Sequence, residues 1–286
     1  MRKLTLLLTL AAIPGLFGLE PEKTRVQAEY HQSYPMQPGS RLTVNNQNGS
    51  IEIAGWDQNT LDISATRYAE TQQVLDQLKI DVATAADGVH IRTIVPQDSE
   101  NAGVKYIIKV PRRAELAEIR STNGAIRVND VEGSASLHTS NGSVHASKTR
   151  GKLQIDTSNG AVAVQNIDGD TDVHTSNGSV RADLEESRGG AITLITTNGS
   201  VDLKLGAVTQ GEVKAATSNG SITVRIPAVA GAHVKAETSG HSRVSTDFDV
   251  RKEGENSPSR LEGIVGAGGP QLNLTTTQGS IRILKI

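Results

Sequence analysis

The chain has 286 residues, 29 basic and 31 acidic, with a net charge of −2, so no global field favours nucleic acid or an anionic membrane surface. The absence of cysteine excludes a disulfide scaffold, a thiolate metal site, a cysteine nucleophile and a lipidated N-terminal cysteine. Aromatic residues are only 2% of the chain, so an ordinary core filled by large rings is not expected; a regular interior of Val, Ile, Leu and Ala is.

Arg2 and Lys3 precede an apolar run from Leu4 to Leu19, interrupted by Pro14 and Gly15. Residues 1–20 therefore read as a secretory signal peptide, which predicts an exported protein, whether periplasmic, cell-surface or secreted. A membrane anchor is the alternative. The run is shorter than the ~20 residues that cross a bilayer, and no A-x-A site marks a cleavage point. Residues 21–41 read as an N-terminal extension.

Residues 42–115 read as a first coil followed by an α+β insert. The coil is Leu-Thr-Val-Asn-Asn-Gln-Asn-Gly-Ser-Ile-Glu-Ile at 42–53. Trp56 beside it reads as a capping residue or, alternatively, a sugar platform. A strand at 61–65 comes next. A short amphipathic helix follows at Glu70–Leu78, with Val74, Leu75 and Leu78 on one face. Further strands are expected at 80–82, 89–91 and 106–110, ended by Pro111. Such an insert caps a stack whose exposed end would offer unpaired backbone.

Residues 116–286 are dominated by a repeat. The pair Asn-Gly, followed by Ser or Ala, recurs at Asn123-Gly124, Asn141-Gly142, Asn159-Gly160, Asn177-Gly178, Asn198-Gly199 and Asn219-Gly220, at intervals of 18, 18, 18, 21 and 21. Degenerate copies stand at Thr238-Ser239-Gly240 and Thr277-Gln278-Gly279-Ser280. A second series, Gly133, Gly151, Gly169, Gly190, Gly211 and Gly231, lies nine residues before each corner glycine from Gly142 to Gly240. One half-coil thus keeps its length while the other absorbs insertions, as in stacked repeats. Each half carries a short alternating strand, such as Ile155-Asp156-Thr157 before a corner and Val162-Ala163-Val164 after it. Asn and Gly at the corner are expected to supply positive φ. A polar loop is expected at 246–269, before a last coil at 271–286. Asn-Gly between alternating strands is also a hairpin signal, so an antiparallel meander is the rival of the solenoid.

The run Val-Pro-Arg-Arg-Ala-Glu-Leu-Ala-Glu-Ile-Arg-Ser-Thr-Asn-Gly-Ala-Ile-Arg-Val at 110–128, followed by repeated Thr-Ser-Asn-Gly-Ser, resembles the bacterial "putative adhesin" domains of unknown function, the toast-rack type β-solenoids. The resemblance covers about residues 40–286. It implies an all-β, right-handed β-solenoid with coils of 18–21 residues in an exported or envelope protein. That family offers no agreed catalytic residues to carry over.

Stacked in register, the outward residues before each Thr form the column Arg120, His138, Asp156, His174, Ile195. His138, Asp156 and His174 are the sharpest candidate surface site: two imidazoles and a carboxylate on adjacent rungs could converge on a metal. A charge ladder is the plainer reading, and no metal is assigned. A second column, Arg127, His145, Ala163, Arg181, Asp202, reads as a solvated face. The Thr series (Thr139, Thr157, Thr175, Thr196, Thr217) and the Asn series read as hydrogen-bonded ladders that fix register. No nucleophile elbow, zinc helix or phosphate loop is found, so no catalytic residue and no cofactor are expected. The function expected is non-catalytic binding of a glycan or an envelope or surface protein, with self-association open. An envelope sensory scaffold and a β-helix polysaccharide enzyme are the alternatives.

Overall fold

A computed structural model describes residues 25–97, 99, 101–184, 190–206, 211–239 and 242–286. The signal-peptide reading of residues 1–20 and the corner copy at Gly240 lie outside the described residues.

Alternation of apolar and polar residues produces strands throughout. The first part holds β1 (Val26–Pro35), β2 (Arg41–Asn48), β3 (Ile51–Trp56), β4 (Thr60–Ala69), the helix α1 (Gln72–Gln77), β5 (Lys79–Ala85), β6 (Gly88–Ile94) and β7 (Gly103–Pro111). Thr71 caps α1, accepting from the Val74 amide through its side chain, and Leu75 and Leu78 are buried. The repeat then gives pairs of strands per coil: β8 (Glu115–Asn123) with β9 (Ile126–Glu132), β10 (Ala135–Thr139) with β11 (Val144–Arg150), and β12 (Leu153–Thr157) with β13 (Val162–Gln165). Next come β14 (Thr171–Asn177) with β15 (Val180–Leu184), β16 (Ile192–Asn198) with β17 (Val201–Leu205), and β18 (Val213–Asn219) with β19 (Ile222–Ile226). Last are β20 (Ala232–Thr238), β21 (Val244–Thr246), β22 (Val250–Lys252), β23 (Arg260–Val265), β24 (Gln271–Gln278) and β25 (Ile281–Lys285). Two of these, β22 and β23, fall inside the stretch expected to be a polar loop.

Successive coils pair in parallel and in register. Thr139 faces Thr157, Thr157 faces Thr175, and Val144 faces Val162. That register excludes the antiparallel meander for the repeat. The strands before the corners build a 13-stranded sheet and those after them a 12-stranded one. Between the sheets lies a core of buried aliphatic side chains, such as Leu137, Ile155, Val164, Leu194 and Leu203. Of the tyrosines only Tyr106 is fully buried.

The corner glycines are needed for a reason other than the one expected. None of Gly124, Gly142, Gly160, Gly178, Gly199 and Gly220 has positive φ; among the described corner glycines only Gly49 and Gly279, in the coils near the two ends of the stack, do. Instead, a Cβ on Gly160 would collide with the backbone carbonyl of Gly142, and one on Gly178 with that of Gly160. Coil-on-coil contact, not backbone conformation, demands glycine there. Positive φ belongs to the opposite corner, at Gly151, Gly169 and Gly190 and at the non-glycine residues Asp130, Lys148 and Asn166.

The stacking order departs from the chain order at both ends. β2 and β3 lie between β8–β9 and the outermost coil β6–β7. β24 and β25 lie between β18–β19 and the outer strands β20 and β21. Strand β20 therefore does not follow directly on β18; β24 does, and the Gly279 corner lies against Gly220. Antiparallel strands flank the stack: β4 and β1 beyond β7, β5 beyond β6, and β23 and β22 beyond β20.

Candidate functional site on the thirteen-stranded sheet

The corner carries two sets of side-chain bonds. Asn123 donates to Asn48 Oδ1, Asn141 to Asn123, Asn159 to Asn141, and Asn177 to Asn159, each at 2.8 Å. Asn198 and Asn219 continue the row at 2.8 and 2.7 Å. All six amides are exposed and point the same way along the stack. Behind them the threonines are buried and do not bond to one another. Thr139 donates to the carbonyl of Gly124 at 3.0 Å, Thr157 to Gly142, Thr175 to Gly160, Thr196 to Gly178 and Thr217 to Gly199. In the first coil the buried Asn46 takes the same place, donating to the Val104 carbonyl of the neighbouring coil at 2.8 Å. A buried hydroxyl so placed satisfies a carbonyl that the bend removes from the strand ladder.

Cα pairing puts Arg120, His138, Asp156, His174 and Ile195 in one outward column of this sheet. The three candidate residues do not converge on one point. His138 Nδ1 lies 3.3 Å from Asp156 Oδ2, whereas His174 turns its Nε2 to Asp172 Oδ1 at 2.8 Å. Among the described residues no group of three His, Asp or Glu side chains is placed to hold a metal ion. Arg120 is occupied by Glu118, at 2.8 and 3.0 Å. Between this column and the exposed row Ser140, Ser158, Ser176 and Thr197 runs an axial groove of about 430 Å³. Its two walls repeat from rung to rung, hydroxyls on one side and His or Asp on the other.

The sequence reading missed Ser136 and Asp172. Both stand two residues before a column member on the same face of their strand, the one signal that could have found them. Ser136 Oγ lies 2.8 Å from His138 Nε2, so serine, histidine and Asp156 stand in relay order. Acyl transfer also needs donors aimed at a developing oxyanion. Here the β10 amides lie in the plane of the sheet, directed at β8 and β12 rather than out over the face that carries Ser136, and the β8 ladder shifts register opposite Ser136. The arrangement can orient a ligand and exchange a proton; its own strand aims no backbone donor at an oxyanion.

On the twelve-stranded sheet, Arg127, His145, Ala163, Arg181 and Asp202 form the second column. Arg127 pairs with Glu52 at 2.9 Å and Arg225 with Asp202, as on a solvated charged face. Trp56 is half-buried; it donates to the Thr60 carbonyl at 2.8 Å, and the Lys109 ammonium sits over its ring at 5.3 Å. A second, larger groove of about 890 Å³ follows the opposite corner past Arg112, Asp130, Glu132, Lys148, Arg150 and Asp168. There Arg112 bridges Asp57, at 2.7 Å, and Asp130. This bond lowers the carboxyl pKa of Asp57, and the two carboxylates raise that of Arg112. Burial pushes the Tyr106 phenol up to about 12.

Among the described residues no helix is long and apolar enough to cross a membrane. None of the curated proteins compared matches the sequence. Solved structures that match the chain include a "putative adhesin" from Bacteroides fragilis, 15% identical, TM-score 0.39, covering 94% of this chain and 100% of that one. A "putative adhesin" from Parabacteroides distasonis is 13% identical, TM-score 0.41, covering 91% and 97%. A "putative lipid binding protein" from the same organism is 13% identical, TM-score 0.41, covering 90% and 96%. The family model described as Toastrack DUF4097 matches residues 39–284, nearly the whole repeat and its N-terminal coil. The chain belongs to the Toastrack DUF4097 family.

Proposed function

We propose that this chain is an exported, non-catalytic, adhesin-like binding module that holds an extended glycan or protein segment along the axial groove. Continuity of the groove carries this reading. From Ser140 to Thr197 the same hydroxyl wall recurs at each of four rungs, ~4.8 Å apart, so a ligand with its own repeat meets like groups in succession. Hydroxyls donate and accept alike, which suits the hydroxyls of a sugar chain, and His138, Asp156 and His174 supply polarity and register on the other wall. The neutral Ser, Thr and Asn rows favour an uncharged ligand over a polyanion. Export rests on the signal-like residues 1–20, and the coil takes the right hand that parallel crossovers almost always take.

Binding of the purified chain to a glycan array and to surface polysaccharides tests this. His138→Ala with Asp156→Ala is expected to weaken binding about tenfold, the worth of roughly 1.4 kcal/mol. Arg127→Ala on the other sheet is expected to leave it unchanged. Binding that ignores the groove variants, or turnover of a bound polysaccharide, would overturn the proposal.

A further inference from the structure

Two strands in this chain fit beside β18. Strand β18 turns Val213, Ala215 and Thr217 inward; β20 offers Val234, Ala236 and Thr238, and β24 offers Leu272, Leu274 and Thr276. Chain order and the glycine spacing put β20 next. The fold puts β24 there instead, Leu272 against Val213, with β20 one rung further out, Val234 against Leu272. β25 lies in the same way between β19 and β21. The coil 271–285 is thus wedged into the stack and bonded on both sides. Thr276 donates to the Gly220 carbonyl at 2.8 Å, and Thr238 donates to the Gly279 carbonyl at 3.0 Å.

The wedge hangs on a glycine hinge. Gly266, Ala267, Gly268, Gly269 and Pro270 join β23 to β24, and the three glycines stand at φ +58, +82 and +156. Domains form from the N-terminal side during synthesis, so β18 and β20 exist before the coil that must separate them. A coil that enters late into a slot built by other strands can enter the same slot in another copy. The buried contacts of Leu272, Leu274, Ile281 and Ile283 are then remade in full, and only the hinge changes. At the C-terminal end of the stack the edge strands are poor surfaces for simple end-to-end growth, because β21 and β22 are three residues each.

We propose that the slot between β18–β19 and β20–β21 accepts the β24–β25 coil of a second copy of this chain, so that copies associate by exchanging that coil.

The chain has no cysteine, so introduced pairs report cleanly. Thr223 and Arg282 face each other across β19 and β25, at the ~4.8 Å rung spacing that a disulfide spans. Thr223→Cys and Arg282→Cys chains are mixed, unfolded, refolded together at high concentration and oxidised. A covalent dimer joined between positions 223 and 282 is expected, increasing with protein concentration and absent from either variant alone. No such dimer at any concentration, with the double variant closing the bond inside one chain, overturns the exchange. A double variant that stays open overturns the wedged placement itself. Lys214→Cys with Asn273→Cys, facing each other on the other sheet, repeats the test if the first pair does not fold.

Discussion

The side-chain amide of Asn159 donates to the carbonyl oxygen of Asn141 at 2.8 Å while its own oxygen accepts from Asn177 at the same distance. Each member from Asn123 to Asn198 uses both ends of its amide, so the ladder has a direction. An aspartate can take the bond from Asn177 but, ionised, sets oxygen against oxygen at Asn141. Asn159→Asp is therefore expected to cost about 1–2 kcal/mol at pH 7. The introduced carboxyl has its folded pKa raised by the facing oxygen. The penalty is full above that value and fades as the pH falls through it, because the protonated acid donates again. Urea unfolding at pH 7 and near pH 3.5 checks this; a penalty independent of pH would contradict the ladder's direction.

Gly160 and Ala163 stand three residues apart and should respond in opposite ways to the same change. A side chain on Gly160 meets the Gly142 carbonyl, part of a coil that cannot move without opening its own ladder. Ala163 is partly exposed, and its outward position on a strand tolerates a β-branched residue. Gly160→Val is expected to cost about 3 kcal/mol and Ala163→Val under ~0.5 kcal/mol. Denaturant midpoints of the two variants decide; equal midpoints would remove the close approach from the account.

Much of this was legible because stacking couples sequence spacing directly to contact. Equal spacing of Gly142, Gly160 and Gly178 predicts like over like, and the columns through Thr139 and His138 are in register. The reason for glycine was not legible, since the demand comes from a carbonyl one coil away rather than from the corner's own φ. Nor was the terminal order: β20 and β24 carry the same inward pattern, and a pattern alone cannot say which of them meets β18. His174 shows the same limit at the scale of one side chain. Asp172 on its own strand and Asp156 on the next both lie within reach, and rotamer choice settles the pairing on Asp172.

Thr157 tests the buried half of the corner. Its hydroxyl, on a buried side chain, is the side-chain partner of the Gly142 carbonyl at 3.3 Å. Thr157→Val keeps the shape and leaves that carbonyl unpaired, an expected loss of about 1–3 kcal/mol. Thr157→Ser keeps the bond and should recover most of it. A valine variant as stable as the parent would show that the hydroxyl fixes nothing.

At the opposite corner, Arg112 holds Asp57 in a bond that lowers the aspartate's pKa. A depressed folded pKa means stabilisation that is present above the unfolded value, near 3.8, and lost as the pH falls through the folded one. The group is fully exposed, so the effect is confined to the acid limb and weakened by salt. Asp57→Asn should flatten the fall of Tm with pH below ~4 and change little at pH 7. An unchanged acid limb in low salt would show that Asp57 and Arg112 do not interact in solution.

Ser136, His138 and Asp156 give the strongest ground for suspecting catalysis, and so the sharpest test of a purely binding role. The Ser136 oxygen is 2.8 Å from His138 Nε2, and Asp156 engages Nδ1, which favours the tautomer that would accept a proton from serine. Activation of the nucleophile is only part of acyl transfer. A tetrahedral oxyanion above Ser136 would find the β10 amides directed within the sheet at β8 and β12 rather than at itself, and the loss of even one such donor costs other hydrolases about 10²–10³ in rate. A fluorophosphonate probe is therefore expected to label the parent chain no more than Ser136→Ala. Labelling that vanishes in Ser136→Ala and drops in Asp156→Asn would make the trio a working nucleophile and turn the groove beside it into an active site.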